Sequence, residues 1–230
     1  MLIKKFTITP FQQNTRVVVC KKTGTAICID PGEECADIVA FINNNGYTLQ
    51  AIALTHAHLD HVGGTLALSG SFPDSEIIIH KDDEEMYLNL PLQPLMMGIP
   101  QAQLRPLKMD YGEPPKPTRY WEDGEVYEVG ELRFKVLHCP GHTKGHVVLA
   151  EESEKKVFVG DCLFENSIGR TDLPGGSYDE LMDSLNKKIV PLGDDFTVYS
   201  GHGPETTIGK ERTTNPFLTG VYQPSKGRFI

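Results

Sequence analysis

Thr55-His56-Ala57-His58-Leu59-Asp60-His61 places three histidines and one aspartate within six consecutive positions. On an extended stretch His56, His58 and Asp60 point the same way, because side chains alternate with a period of two. His61 then adds a ligand aimed elsewhere. Four ligand-type groups at this spacing are too many for one tight metal sphere built locally. They read as halves of two neighbouring metal sites that need further ligands from downstream.

Working outward, LQAIAL at 49–54 is a buried strand that runs directly into the cluster, so the ligands hang from a rigid element. Upstream, residues 2–8, 15–20 and 25–29 read as strands, with Thr23-Gly24 as a hairpin turn. Residues 34–45 carry Ile38, Phe41 and Ile42 at helical spacing, and Gly46 suits the C-terminal cap. Downstream, a helix is expected near 65–70, a strand at 76–80 and a charged helix over 81–90.

Seven of the 16 prolines then fall between Pro91 and Pro117, which excludes a regular helix or central strand there. Leu92, Leu95, Met96 and Met97 would be poorly placed in free solvent, so 91–117 is expected to be a partly ordered lid. Strands resume at 132–138, 146–150, 156–160 and 196–200. Ser177-Tyr178-Asp179-Glu180 is a capping box ahead of Leu181, Met182, Leu185 and Ile189. A short tail follows residue 205, and the chain of 230 residues reads as one domain, 1–230.

The composition excludes several classes. Net charge is −9, from 22 basic and 31 acidic residues, which argues against a broad nucleic-acid or anionic-membrane surface. Cys20, Cys28, Cys35, Cys139 and Cys162 make an odd count without framework spacing, as expected of a reduced, cytoplasmic compartment. The segment MLIKKFTITP has no long apolar run, so a signal peptide is not expected, and no stretch approaches a membrane span.

Three later positions complement the cluster: His142 in Pro140-Gly141-His142, Asp161 in Val159-Gly160-Asp161, and His202 in Ser200-Gly201-His202-Gly203. Each puts a ligand-type residue at a strand end beside glycine, where backbone can approach closely. With HAHLDH, GH at 142, GD at 161 and GHG at 202 in this order, the chain resembles the metallo-β-lactamase-fold hydrolases over roughly residues 5–218.

That resemblance implies an α/β, four-layer αββα sandwich: two mixed β-sheets flanked by helices, with the metals in a groove at one edge. It assigns His56, His58 and His142 to one metal and Asp60, His61 and His202 to the second, with Asp161 bridging. Asp60 would both ligate and orient the attacking hydroxide. Lactamases of this fold that destroy antibiotics typically carry cysteine at the position of Asp161. Here Cys162, one residue on, reads as a buried thiol.

Within the family, LHCPGHTKGH, VGDCLF, IGRTDLPGG and GHGPETTIGKERTTNPFL are similar to single-domain type II glyoxalases, which hydrolyse glutathione thioesters. Only 28 residues follow His202, where full-length glyoxalases carry a helical extension that grips glutathione. Arg170 stands where those enzymes place a lysine near the substrate; it could hold a substrate carboxylate or salt-bridge Asp172.

The expected reaction is hydrolysis of an S-lactoylglutathione-like thioester by a metal-bridging hydroxide, since a metal lowers the pKa of bound water from near 16 to roughly 7. Imidazole and carboxylate ligands accept zinc first, with iron or manganese possible. The small-molecule substrate is a thioester or ester; the oligomeric state is open. The alternatives are a mononuclear iron persulfide dioxygenase and a lactonase. Asp30, Thr55 and His146 are candidates to hydrogen-bond the outer nitrogens of the ligand histidines. Asp30 equally suits a turn before Pro31-Gly32. His80, His138 and His146 are not expected to bind metal, and His138 is expected to pack in the core.

Overall fold

The computed structural model of the protein describes residues 1–222. Leu2–Ile8 (β1), Gln13–Val19 (β2), Thr25–Ile29 (β3), Thr48–Ala53 (β4), Glu76–His80 (β5) and Arg119–Trp121 (β6) form one sheet in that order. The first three strands pair antiparallel, and β3 to β6 run parallel. The second sheet uses Val126–Val129 (β7), Leu132–His138 (β8), Val147–Glu151 (β9), Lys156–Gly160 (β10), Thr197–Ser200 (β13) and Thr206–Thr207 (β14). Its order is β14-β13-β10-β9-β8-β7, and only the β10–β13 pair is parallel. Leu163–Phe164 (β11) and Ser167–Ile168 (β12) make a small hairpin beside it.

The period-two alternation of β3 explains the layers. Ala26 and Cys28 join the core outside the first sheet, while Ile27 and Ile29 face the second sheet. Both sheets are covered on both faces, so their central strands read as continuous apolar runs. The inter-sheet core includes Val18, Ile78, Phe134, Val136, Leu149 and Phe158. Trp121 closes it, donating its indole N–H to the Leu54 carbonyl at 3.1 Å. A tryptophan of this kind removes on the order of 150–250 Å² from water.

Ala36–Asn44 (α1), Leu59–Val62 (α2), Thr65–Ser71 (α3) and Glu84–Leu88 (α4) supply Ile38, Ile42, Val62, Leu68 and Tyr87 to the outer core of the first sheet. Two single turns follow, Gln93–Met96 (α5) and Gln101–Leu104 (α6). Tyr178–Ser184 (α7), continued by a π turn at Leu185–Ile189, and Ile208–Thr214 (α8) cover the second sheet. The result is the four-layer αββα sandwich expected from the sequence.

Several local expectations need correction. The helix expected over 81–90 is a 3₁₀ turn, Lys81–Asp83, followed by the short α4. The tail after 205 holds β14 and α8. The Thr207 hydroxyl caps α8 by accepting the Lys210 N–H, so the chain stays packed on the second sheet. In 91–117 the buried side is supplied by Pro94, Leu104, Met109 and Pro114. Leu92, Leu95, Met96 and Met97 lie in solvent instead, Met96 at 73% exposure. A one-turn helix cannot bury both of its faces. Strands β6 and β7 lacked a legible sequence signal.

Candidate metal centre

Strands β8, β10 and β13 point the same way in the second sheet, and β3 and β4 run parallel in the first. Their C-terminal ends deliver Asp30, Thr55-His56, His142, Asp161 and His202 to one edge of the sandwich. Close approach there depends on glycine. At Gly160, where φ is +48°, an added Cβ would lie 2.5 Å from Thr55 Oγ1. At Gly201 it would lie 2.2 Å from Asp161 Oδ1.

The structure brings all seven proposed ligands together. His56, His58 and His142 can each offer an atom within 4.8 Å of the others, and so can Asp60, His61 and His202. Asp161 lies between the two groups. Its Oδ1 is 3.4 Å from His61 Nε2; its Oδ2 is 3.7 Å from His142 Nε2 and 3.5 Å from His202 Nε2. His202 Nε2 is 3.2 Å from Asp60 Oδ2.

Hydrogen bonds on the outer nitrogens assign the tautomers. The Asp30 carboxylate accepts the Thr55 hydroxyl at 2.7 Å, leaving the Thr55 oxygen to accept His56 Nδ1–H at 3.0 Å. Asp30 Oδ2 also accepts His61 Nδ1–H at 3.0 Å. His142 Nδ1–H donates to the Arg170 carbonyl at 2.8 Å, and His202 Nδ1–H to the Phe11 carbonyl at 3.1 Å. A carbonyl or carboxylate can only accept, and the Thr55 hydroxyl has spent its proton on Asp30, so all four rings carry a hydrogen on Nδ1 and aim Nε2 at the cluster. His58 Nδ1 lies 2.9 Å from His142 Nε2.

The residues fit a metal. His56 Nε2 and Asp161 Oδ1 are buried with no hydrogen-bond partner among the described residues. An orphaned buried polar atom costs roughly 1–3 kcal/mol. A cation meeting both lone pairs removes that cost, and imidazole with carboxylate is a donor set for zinc, iron or manganese.

Protonation divides the cluster. Burial pushes His56 well down and His58 down to about 3, and it lowers His142 too. These rings are neutral and ready to ligate. Burial also pulls on His61, but Asp161 and Asp60 outweigh it and hold the proton well above the usual imidazole range. His202 is raised as well: burial works against it and the Asp60 hydrogen bond prevails. Asp161 is held far below the usual carboxylate range, because His61 and His142 overcome the cost of burial.

Asp30 and Thr55 form the network above, and Asp30, at φ +51°, also makes the turn before Pro31. His146 lies behind His56, its ring stacked at 5.0 Å. Its Nε2 accepts the Asp161 N–H at 3.1 Å, and its Nδ1 lies 3.3 Å from the buried Cys162 thiol. Arg170 forks onto Asp172 with two bonds of 2.8 Å. His138 is not in the core: it is partly exposed and stacked on His80 at 4.0 Å and 9°. One ion cannot lie in both of two stacked parallel ring planes.

Sequence reasoning missed the carbonyls of Phe11 and Arg170, which carry no side-chain signal. It also missed Asn14, whose amide donates to the Gly203 carbonyl at 2.8 Å, and Arg16, which donates to the Ser200 carbonyl at 2.7 Å. Together they hold the loop that carries His202.

This fold and site define a metallo-hydrolase, and the chain belongs to the metallo-β-lactamase superfamily, whose family model matches residues 8–202. It is 36% identical to hydroxyacylglutathione hydrolase GloC of Haemophilus influenzae, over 95% of this chain and 98% of that protein. Among solved structures it resembles TTHA1623 in a di-iron-bound form: TM-score 0.81, 37% identity, 94% of this chain and all of that one. It also resembles the B3 metallo-β-lactamase BLEG-1: TM-score 0.83, 33% identity, 95% of this chain and all of that one. No helix among the described residues is long and apolar enough to cross a membrane.

Proposed function

We propose that the protein is a dinuclear metal-dependent hydrolase of glutathione-type thioesters, with S-lactoylglutathione as its test substrate. The observation that carries this reading is the pair of triads on either side of Asp161, in a chain that aligns nearly end to end with hydroxyacylglutathione hydrolase. His56, His58 and His142 would hold one divalent cation, and Asp60, His61 and His202 the other. Asp161 suits a bridge because its Oδ1 faces His61 while its Oδ2 lies between His142 and His202, so the carboxylate reaches both triads. Two cations so held would supply Lewis acidity toward a carbonyl and make a water acidic enough to ionise near neutral pH.

The protein's own groups do the rest. Asp60 Oδ2, beside His202, can accept a proton from the attacking water and orient it. Asp30 fixes the rings of His61 and, through Thr55, of His56. The segment 91–117 is bound to the cluster loop: Gln93 Nε2 donates to the Ala57 carbonyl at 2.8 Å. The Tyr111 ring lies against Gly63, where an added Cβ would come within 2.4 Å of it. That segment is the proposed lid over the acyl or thiol part of the substrate. Zinc is the first candidate, and iron is the second because TTHA1623 is described in a di-iron form. A reduced cytoplasmic setting fits a chain whose five cysteines are all free.

The test is elemental analysis with thioester, persulfide and β-lactam assays on one sample. About two metals per chain and turnover of S-lactoylglutathione are expected. One iron per chain, with oxygen uptake on glutathione persulfide and no thioester turnover, would replace this reading with the dioxygenase. The likeness to BLEG-1, described as a B3 metallo-β-lactamase, makes β-lactam hydrolysis a second activity to measure.

A further inference from the structure

Asp83 is a buried carboxylate that belongs to neither triad; it is 1% exposed, at the end of the turn after β5. Its Oδ2 accepts the Ala57 N–H at 3.0 Å and the Thr143 hydroxyl at 2.7 Å. Its Oδ1 accepts the Gly145 N–H at 2.7 Å. Ala57 lies between His56 and His58, and Thr143 follows His142. One side chain therefore ties together the loops that carry all three ligands of the first triad, although the loops come from different sheets. Gly145 approaches so closely that an added Cβ would lie 2.6 Å from the Asp83 nitrogen and 2.9 Å from Cγ.

The chemistry of these contacts is one-sided. All three partners are donors, and a carboxylate is the side chain that accepts at both oxygens and donates at neither. Among the described residues no lysine or arginine pairs with it. Burying a carboxylate without a counter-charge is expensive, and an apolar side chain of similar volume would fill the space at lower cost. What the carboxylate adds is the fixed distance between two loops.

We propose that Asp83 is a positioning residue for the first triad: by binding both loops it sets where His142 stands relative to His56 and His58, and so how tightly the three hold a cation. The inference rests on the metal-centre part of the proposed function and is independent of the thioester. Asparagine at this position turns an amide donor toward the donors it faces. Thr143→Val removes one donor and keeps the shape, and Thr143→Ser keeps the hydroxyl.

The experiment titrates metal-free protein with zinc against a chromophoric chelator, in wild type, Asp83→Asn, Thr143→Val and Thr143→Ser, at a temperature where circular dichroism shows each folded. Asp83→Asn is expected to weaken one of the two zinc affinities by roughly 10–100-fold, the scale for losing a group that orients ligands. Thr143→Val should weaken the same affinity by roughly fivefold, the worth of one hydrogen bond, and Thr143→Ser should stay near wild type. Unchanged affinities in Asp83→Asn and Thr143→Val, with lower unfolding midpoints alone, would make Asp83 merely structural and overturn the proposal. Equal loss in Thr143→Ser and Thr143→Val would overturn it too. If Asp83→Asn does not fold, the two Thr143 variants decide. Wild type that binds two zinc ions but leaves thioesters intact would sink the thioester reading and leave this one standing.

Discussion

The two triads are built from similar side chains and held in different ways. His56, His58 and His142 sit on loops joined by one buried carboxylate, and burial keeps all three rings neutral. Asp60, His61 and His202 include a carboxylate, keep protons on their imidazoles, and end in a histidine whose side chain is 27% exposed. His202 depends on a chain carbonyl at Phe11 and on Asn14 and Arg16 gripping its loop. The first triad is preorganised and needs only a cation; the second must also give up protons. A metal should therefore fill the first triad before the second.

The largest effect is expected at Asp161, the one residue between both triads. Asp161→Ala should reduce metal content from about two per chain to about one, with the Asp60–His61–His202 metal lost first. The Lewis acidity of a cation is worth several kcal/mol, and about 1.4 kcal/mol is tenfold in rate. The kcat/KM for the thioester should therefore fall by at least about 100-fold. Elemental analysis beside steady-state kinetics reads both. An unchanged metal count would show that Asp161 does not bridge.

That asymmetry was only half legible in the sequence. The seven proposed ligands could be singled out because each is a histidine or aspartate beside glycine or in the HxHxDH run, a pattern of side chains. The layers were legible because β3, β4 and β10 are largely apolar runs of strand length and β8 alternates apolar with charged residues. What could not be read was the grip on those ligands. Phe11 and Arg170 act through their carbonyls, which every residue has. Asn14 and Arg16 reach across the sandwich from β2 to β13. Asp83 looks like one more charge in Lys81-Asp82-Asp83-Glu84-Glu85. Only the fold shows that Asp83 turns inward and its acidic neighbours do not. Strand β6 failed for a related reason: its three residues pair at a sheet edge, too short to show a period. The exposed Leu92, Leu95, Met96 and Met97 defied a rule that holds for longer helices.

Asp30 serves both triads, so it tests whether they are independent. Asp30→Asn keeps the left-handed backbone, which asparagine tolerates. It replaces one acceptor oxygen with a donor facing His61 Nδ1 or Thr55. Both metal affinities should fall, by roughly 10–100-fold for His61's triad, whose ring it touches directly, and by less for His56, reached through Thr55. Equal losses would mean that the two triads bind as one unit.

pH offers a gentler separation. His61 and His202 have raised folded-state pKa values, so as pH falls protons compete for the second triad from above the ordinary imidazole range downward. His58 is lowered to about 3, and His56 and His142 are also lowered, so protons compete for the first triad only below the ordinary imidazole range. On stepwise acidification with a chelator present, one metal should leave between neutral and mildly acidic pH, and the other should persist well below it. Loss of both in a single step would collapse the distinction.

The smallest effect is expected at Arg170, whose two halves serve different ends. Its carbonyl accepts His142 Nδ1–H, and every residue at that position keeps the carbonyl. Its guanidinium, 56% exposed, is forked onto Asp172. An exposed ion pair is worth only about 0–1 kcal/mol once solvent screening is counted. Arg170→Ala should therefore leave two metals in place, shift the unfolding midpoint little, and keep KM near wild type while Asp172 is the arginine's true partner. The fork gives the alternative a distinct signature. If the guanidinium swings from Asp172 to a substrate carboxylate, KM rises at unchanged kcat, and Asp172→Asn, which frees the arginine, lowers KM. Metal loss in Arg170→Ala would contradict both roles, because it would mean that the side chain, rather than the backbone, holds His142 in the first triad.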